Sequence, residues 1–185
     1  NCALTAVGVA YCWGSNSGGR LGTADTASRA TPTAVVGGLT FTSVVAGGTQ
    51  SCGLTATGTA YCWGLNGNGQ LGDNSQFSRN QPTLVAGGLS FTSLSAGTLH
   101  TCGIAVSGAA YCWGANAFSQ VGDSTTGGNR TVPTLVRGGH TWTSISAGNS
   151  HTCGITTLGA SYCWGLNGTT LANTGRLGDG TNTSQ

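Results

Sequence analysis

The sequence predicts an all-β protein built from stacked repeats. The stretch Ser51 to Leu71, SCGLTATGTAYCWGLNGNGQL, recurs with copies starting at Asn1, Thr101 and Thr152. The first cysteines of the copies stand 50, 50 and 51 residues apart, a period that belongs to propeller blades or a solenoid. Each copy also sets two short apolar runs around a glycine-bearing turn, which is the pattern of a β-hairpin. The chain is read as a single repeat domain, residues 1–185, with units of approximately 1–50, 51–100, 101–151 and 152–185.

The hairpin comes first in each unit. In the second copy Cys52 to Thr55 is one strand and Thr59 to Trp63 the next, joined by Ala56-Thr57-Gly58. A three-residue loop ending in glycine fits a type I turn closed by a glycine bulge, because glycine tolerates positive φ. That loop pairs Leu54 with Ala60, Gly53 with Tyr61 and Cys52 with Cys62. Facing antiparallel residues lie within disulfide range, so the expected bonds are Cys2–Cys12, Cys52–Cys62, Cys102–Cys112 and Cys153–Cys163. Buried free thiols are one alternative. Zinc is another, although a C-x9-C pair lacks the short ligand spacing of zinc sites.

Alternation places Cys52, Leu54, Ala60 and Cys62 on one face and Gly53, Tyr61 and Trp63 on the other. Both faces are largely apolar, so the hairpin is expected to be covered on both sides, with the Tyr61 ring lying over Gly53. The pairs Tyr11 and Trp13, Tyr61 and Trp63, Tyr111 and Trp113, and Tyr162 and Trp164 are accordingly read as packing between units rather than as ligand platforms.

Two further strands complete a unit. Thr31 to Val36 is a short strand led by Pro32, which suits an edge or a strand entry. Gly37-Gly38 turns the chain, and Phe41 to Ala46 alternates towards the next hairpin. The second unit repeats this from Gln81 to Gly97 and the third from Val132 to Gly148, where Trp142 replaces phenylalanine. The fourth copy carries an insertion at Thr169 to Asn173, expected to protrude. The chain starts without the strand that precedes every other hairpin and stops before a fourth proline-led strand. Blades are thus of four antiparallel strands, about four repeats of roughly 50 residues, incomplete at both ends.

Composition narrows the function classes. The chain has six Arg, four Asp, no Lys and no Glu, 5% charged residues in all against a usual figure of about 25%. Such low charge permits self-association. A formal net charge of +2 without a Lys/Arg cluster excludes a nucleic-acid site. No apolar run is long enough for a helical membrane span. The absence of methionine marks a processed product or an excerpt of something longer. Eight paired cysteines then argue for an extracellular or cell-surface setting.

Catalytic chemistry is poorly supplied, because no Glu, Lys or free Cys is left to act as acid, base or nucleophile. No catalytic residue, metal or cofactor is assigned, and the protein is read as a non-enzyme. Asp73, Asp123 and Asp179 share one repeat position and are expected to cap turns. Calcium is the alternative, although one Asp per unit is a thin ligand set. His100 and His151 occupy the position held by Gln50 and are read as hydrogen-bonding groups. Arg29, Arg79 and Arg130 each stand three residues before a proline, either pairing locally or forming a basic track. Asn129, Asn167 and Asn182 head glycosylation sequons. The loops of variable sequence supply candidate binding residues: Phe77, Arg79, Phe118, Arg130, Thr169 and Leu171.

The segment Tyr61 to Asp73, YCWGLNGNGQLGD, together with Ala96, Gly97, His100, Thr101, Cys102 and Gly103, resembles the regulator-of-chromosome-condensation repeat in a cysteine-bearing form typical of bacterial extracellular proteins. The resemblance spans essentially the whole chain. It implies a β-propeller with four-stranded blades. Nuclear members act in guanine-nucleotide exchange on chromatin through particular loop residues that have no counterpart here, and fold alone does not transfer that activity. Two readings of function follow. One is a secreted structural module that self-assembles into a fibre or surface layer, its partners being other copies or further repeats of a parent chain. The other is a protein- or glycan-binding propeller within a bacterial surface adhesin.

Overall fold

The computed structural model of the chain describes residues 1–168, 175–181, 183 and 184. The hairpin turns close as their glycines predict. Gly58 sits at φ +77°, and its N–H donates to the Thr55 carbonyl while the Thr55 N–H donates to the Thr59 carbonyl. The resulting register pairs Leu54 with Ala60, Gly53 with Tyr61 and Cys52 with Cys62. The corresponding cysteines face each other in the other three hairpins, and disulfides join all four pairs, with S–S separations of 2.06–2.11 Å.

Around these hairpins the described residues form four antiparallel sheets. The first holds β1 (Cys2–Leu4), β2 (Ala10–Gly14) and β3 (Arg29–Ala34). The second runs β4 (Ser43–Ala46), β5 (Gln50–Leu54), β6 (Ala60–Gly64), β7 (Arg79–Leu84). The third runs β8 (Phe91–Ala96), β9 (His100–Ala105), β10 (Ala110–Gly114), β11 (Arg130–Leu135). The fourth holds β12 (Trp142–Ala147), β13 (His151–Thr156) and β14 (Ser161–Gly165). A sheet therefore takes its first strand from the sequence unit before it, so sheets and repeats are out of phase by one strand. The proline-led strand begins earlier than its proline. Pro82 falls where the β6–β7 register shifts, between the pairs Gly64–Arg79 and Cys62–Thr83, so its missing N–H breaks no ladder bond.

The sheets stack face to face, the disulfide face of one against the aromatic face of the next. Cys52, Leu54, Ala60 and Cys62 pack on Phe91 and Trp113. Ala10, Cys12 and Leu21 pack on Phe41 and Trp63 in the same way, and Cys102, Ile104 and Val121 on Trp142 and Trp164. Trp63 and Trp113 are fully buried, whereas Tyr162 in the fourth sheet is exposed. One expectation is corrected here. The ring that lies over Gly53 belongs to Phe41, whose Cδ1 would stand 2.6 Å from an added Cβ. Phe41 arrives from the neighbouring antiparallel strand segment and reaches over the glycine, while Tyr61 meets it edge-on at a centroid distance of 6.4 Å. Phe91 and Trp142 cover Gly103 and Gly154 likewise.

The inner strands meet backbone to backbone. A Cβ on Gly97 would lie 2.4 Å from the Gly148 carbonyl oxygen, and one on Gly47 the same distance from that of Gly97. Only glycine permits this approach. Thr98 N–H and Gly48 N–H use it to bond across the junctions, to Gly148 and Gly97.

Candidate binding surface at the exit loops

Antiparallel topology sorts the connections to two ends. Hairpin tips and Gly-Gly turns lie at one end. The long loops leaving β2, β6, β10 and β14 lie at the other, with the short connections into β5, β9 and β13. Each exit loop is folded around a buried asparagine. Asn66 Nδ2 donates to Asp73 Oδ1 at 2.9 Å, to the Ser75 carbonyl at 3.1 Å and to the Phe77 carbonyl at 3.2 Å. Its Oδ1 accepts the Leu71 N–H at 2.9 Å. Asn16, Asn116 and Asn167 make the same contact with Asp25, Asp123 and Asp179. All four asparagines are wholly buried. The sequence reading named only Asn167 among them, as the head of a sequon, although each copy carries Asn three residues after the tryptophan. Of the sequon asparagines, Asn167 is thus buried. Asn129 lies exposed, and Asn182 is outside the described residues.

The aspartate closes the frame. Asp73 Oδ1 accepts from the Ser75 N–H and hydroxyl, and Oδ2 from Arg79 Nε at 2.8 Å. Burial by itself would raise the Asp73 carboxyl, but hydrogen bonds from Ser75, Arg79 and Asn66, with the Arg79 charge, hold it below the ordinary carboxylate range. Asp123 is lowered in the same way, with Thr125 and Arg130 as the partners that outweigh burial. Asp25 stands two residues further along its loop than Asp73 does, yet takes the same part. It accepts from Asn16, Thr23 and the Ala27 N–H, and pairs with Arg29. The three arginines thus pair locally. Among the described residues no three His, Cys, Asp or Glu side chains gather where they would hold a metal ion.

A second set of polar side chains ties each loop to the next sheet. Thr101 Oγ1 donates to the Gln70 carbonyl at 2.9 Å and Thr152 Oγ1 to that of Gln120 at 2.8 Å. Gln50 Nε2 reaches Thr101 Oγ1 at 3.2 Å, and His100 Nε2 lies 2.9 Å from Thr152 Oγ1. His100 is fully buried and its Nδ1 has no partner. Burial, with the nearby His151, depresses its pKa to about 4, so the ring is neutral and sealed from any substrate.

What remains free is the loop tips. Phe77 is 74% exposed and Phe118 41%, while Arg79 and Arg130 are held by their aspartates. Thr169 and Leu171, and the insertion that contains them, lie outside the described residues. The tips share no sequence: NSQFS follows Asp73 in register where STTGGN follows in the third loop.

The stacked antiparallel sheets of three and four strands have counterparts among solved structures. Human WBSCR16 is 22% identical with a TM-score of 0.87, the match covering 100% of this chain and 48% of that one. Prp20p from Saccharomyces cerevisiae is 22% identical with a TM-score of 0.84, covering 99% of this chain and 46% of that one. The ectodomain of the Physcomitrella patens receptor kinase CR4 is 30% identical with a TM-score of 0.53, over 73% of this chain and 31% of its own. The chain spans about half the length of the first two. Prp20p has binding properties towards Gsp1p and histones, and yeast RCC1 (Prp20) has been seen bound to Kap60. No curated protein matches the chain. Residues 8–54, 57–104 and 107–155 each match the regulator of chromosome condensation (RCC1) repeat. The chain is made of β-propeller repeats with paired cysteines, and it belongs to the regulator of chromosome condensation (RCC1) repeat family.

Proposed function

We propose that the chain is a segment of an extracellular, disulfide-stapled propeller that binds another protein through its exit loops. One observation carries the reading: identical Asn–Asp–Arg frames hold loop tips that differ from unit to unit. A constant frame with variable tips is the economy of a binding scaffold. Phe77 is an exposed aromatic on such a frame, and aromatic anchors dominate protein interfaces. With Arg29, Arg79 and Arg130 each paired to an aspartate, the loop frames offer a phosphate backbone little. The protein partners of Prp20p are consistent with this use of the fold. The test is photo-crosslinking from position 77 in the native extracellular medium. A defined adduct that disappears with Phe118→Ser, at unchanged melting temperature, supports the reading. An adduct pattern indifferent to every tip substitution sinks it.

Self-association is the second reading, resting on the sparse charge of the chain, 5% of its residues, which leaves little repulsion between copies. Fibres in negative-stain micrographs of the non-reduced protein would support this reading. A sedimentation coefficient constant over a hundredfold concentration range would end it.

A further inference from the structure

The two ends of the sheets differ in charge. All four aspartates lie in the exit loops, and the chain has no glutamate. The opposite end, made of the hairpin tips and the Gly-Gly turns, carries no acid and one arginine, Arg137. Arg137 is exposed and takes no part in the three ion pairs of the described residues. The same end bares aliphatic side chains. Val7 is 75% exposed, Val106 70% and Leu158 94%, each in the turn of a different hairpin. This exposure belongs to the turn and does not depend on a missing neighbour. Thr57 and Ser107, at the repeat position of Val7 and Leu158, are exposed as well, in sheets packed on both faces.

The outer rim of this end continues the pattern. Leu84 and Leu135 are exposed where β7 and β11 finish. They pair with Tyr61 and Tyr111, so they share the face turned to the preceding sheet, which carries its own outer strand. Both tyrosines are half-buried, and no hydrogen bond among the described residues uses their hydroxyls. A ring held in apolar surroundings with its hydroxyl left to solvent suits a membrane–water interface. Aliphatic side chains on separate tips do not form one groove for a protein segment. Equivalent turns of repeated sheets end together, however, and a planar surface can receive them all at once. Lipid phosphates would repel an acid there, and the end has none.

We infer that the hairpin-tip end docks on a lipid bilayer, with Val7, Val106 and Leu158 entering the headgroup boundary and Arg137 on a lipid phosphate. The exit loops, at the far end, stay clear of the membrane. Apolar burial at the boundary and attraction of a cation to anionic headgroups contribute separately, so they can be removed separately. The test is co-sedimentation of the whole non-reduced chain with vesicles of phosphatidylcholine alone and of phosphatidylcholine mixed with phosphatidylglycerol. The chain should partition onto both, about fivefold more strongly onto the anionic vesicles, the increment of one arginine near the surface. Val106→Ser combined with Leu158→Ser should weaken partition onto both by about tenfold or more at unchanged melting temperature, because the tips touch no core. Arg137→Ala should erase the anionic preference and leave binding to neutral vesicles as it was. Partition onto neither vesicle, a double variant that binds like the unchanged chain, or an anionic preference that survives Arg137→Ala would overturn the inference. So would a dimer, seen by sedimentation in place of vesicle binding, that the double substitution dissolves, since the tips would then be a contact between copies.

Discussion

Replacing Asn66 by alanine would strip the Leu71 N–H and the Asp73 carboxylate of a buried partner at once. Each buried group left unpaired costs roughly 1–3 kcal/mol, so the substitution should destabilise the chain by at least about 2 kcal/mol, seen as a lower denaturant midpoint at unchanged slope. A shift within error would show that the frame is dispensable. His100 makes a second residue-scale prediction. Its folded pKa, about 4, lies below the unfolded value, so its neutral ring contributes stability that is complete above about pH 6.5 and fades as pH falls towards 4. His100→Gln, which installs the residue found at Gln50, should flatten the decline of melting temperature across that window. The lowered aspartates act separately, contributing stability that is lost below about pH 4. An unchanged pH profile in the variant would mean that protonation there is harmless. At this scale the sequence was only partly legible. Charged residues drew attention to Asp73 and Arg79, while the uncharged Asn66 that they surround carried no such mark. Asp25 escaped the repeat alignment because its loop reaches the same carboxylate position by a longer path.

At the scale of elements, the hairpin was the most legible part, because a glycine-closed three-residue turn admits one register and that register sets Cys52 opposite Cys62. Each disulfide closes an eleven-residue loop, for which chain entropy gives roughly 2.5–3 kcal/mol. The double substitution Cys52→Ala with Cys62→Ala should therefore lower stability by about that amount, read by chemical denaturation under non-reducing conditions. Full retention of stability would assign the cysteines no constraining role. The phasing of strands into sheets was not legible. Nothing local distinguishes whether Phe91 to Ala96 pairs with the hairpin behind it or the one ahead, and only the ladder to β9 decides. The same ladder explains why Phe41 rather than Tyr61 lies over Gly53: that aromatic comes from a strand whose neighbour the repeat pattern leaves open.

For the whole molecule, stability should follow the stack. Each junction joins a disulfide face to an aromatic face, so an inner sheet is buried twice and an end sheet once. All residues of β5 and β9 are buried, whereas β1 and β14 mix buried or half-buried residues with exposed ones. In a quasi-one-dimensional array each unit owes its stability to its neighbours, and local opening needs little energy where few apolar contacts hold. Hydrogen exchange should therefore be slowest at Gln50–Leu54 and His100–Ala105 and fastest, among strands, at Cys2–Leu4 and Ser161–Gly165. Trp113→Ala removes a fully buried ring from the junction of the second and third sheets, a loss of about 3–5 kcal/mol. If the stack is cooperative only through its junctions, that substitution should accelerate exchange on both sides of the junction and bring β5 and β9 towards the rates of the ends. Trp13→Ala, in an end sheet that packs on one side, should disturb β1 and β2 and leave β9 protected. Uniform acceleration throughout the chain by both substitutions would instead describe a single all-or-none core, with the repeats of the sequence having no counterpart in its energetics.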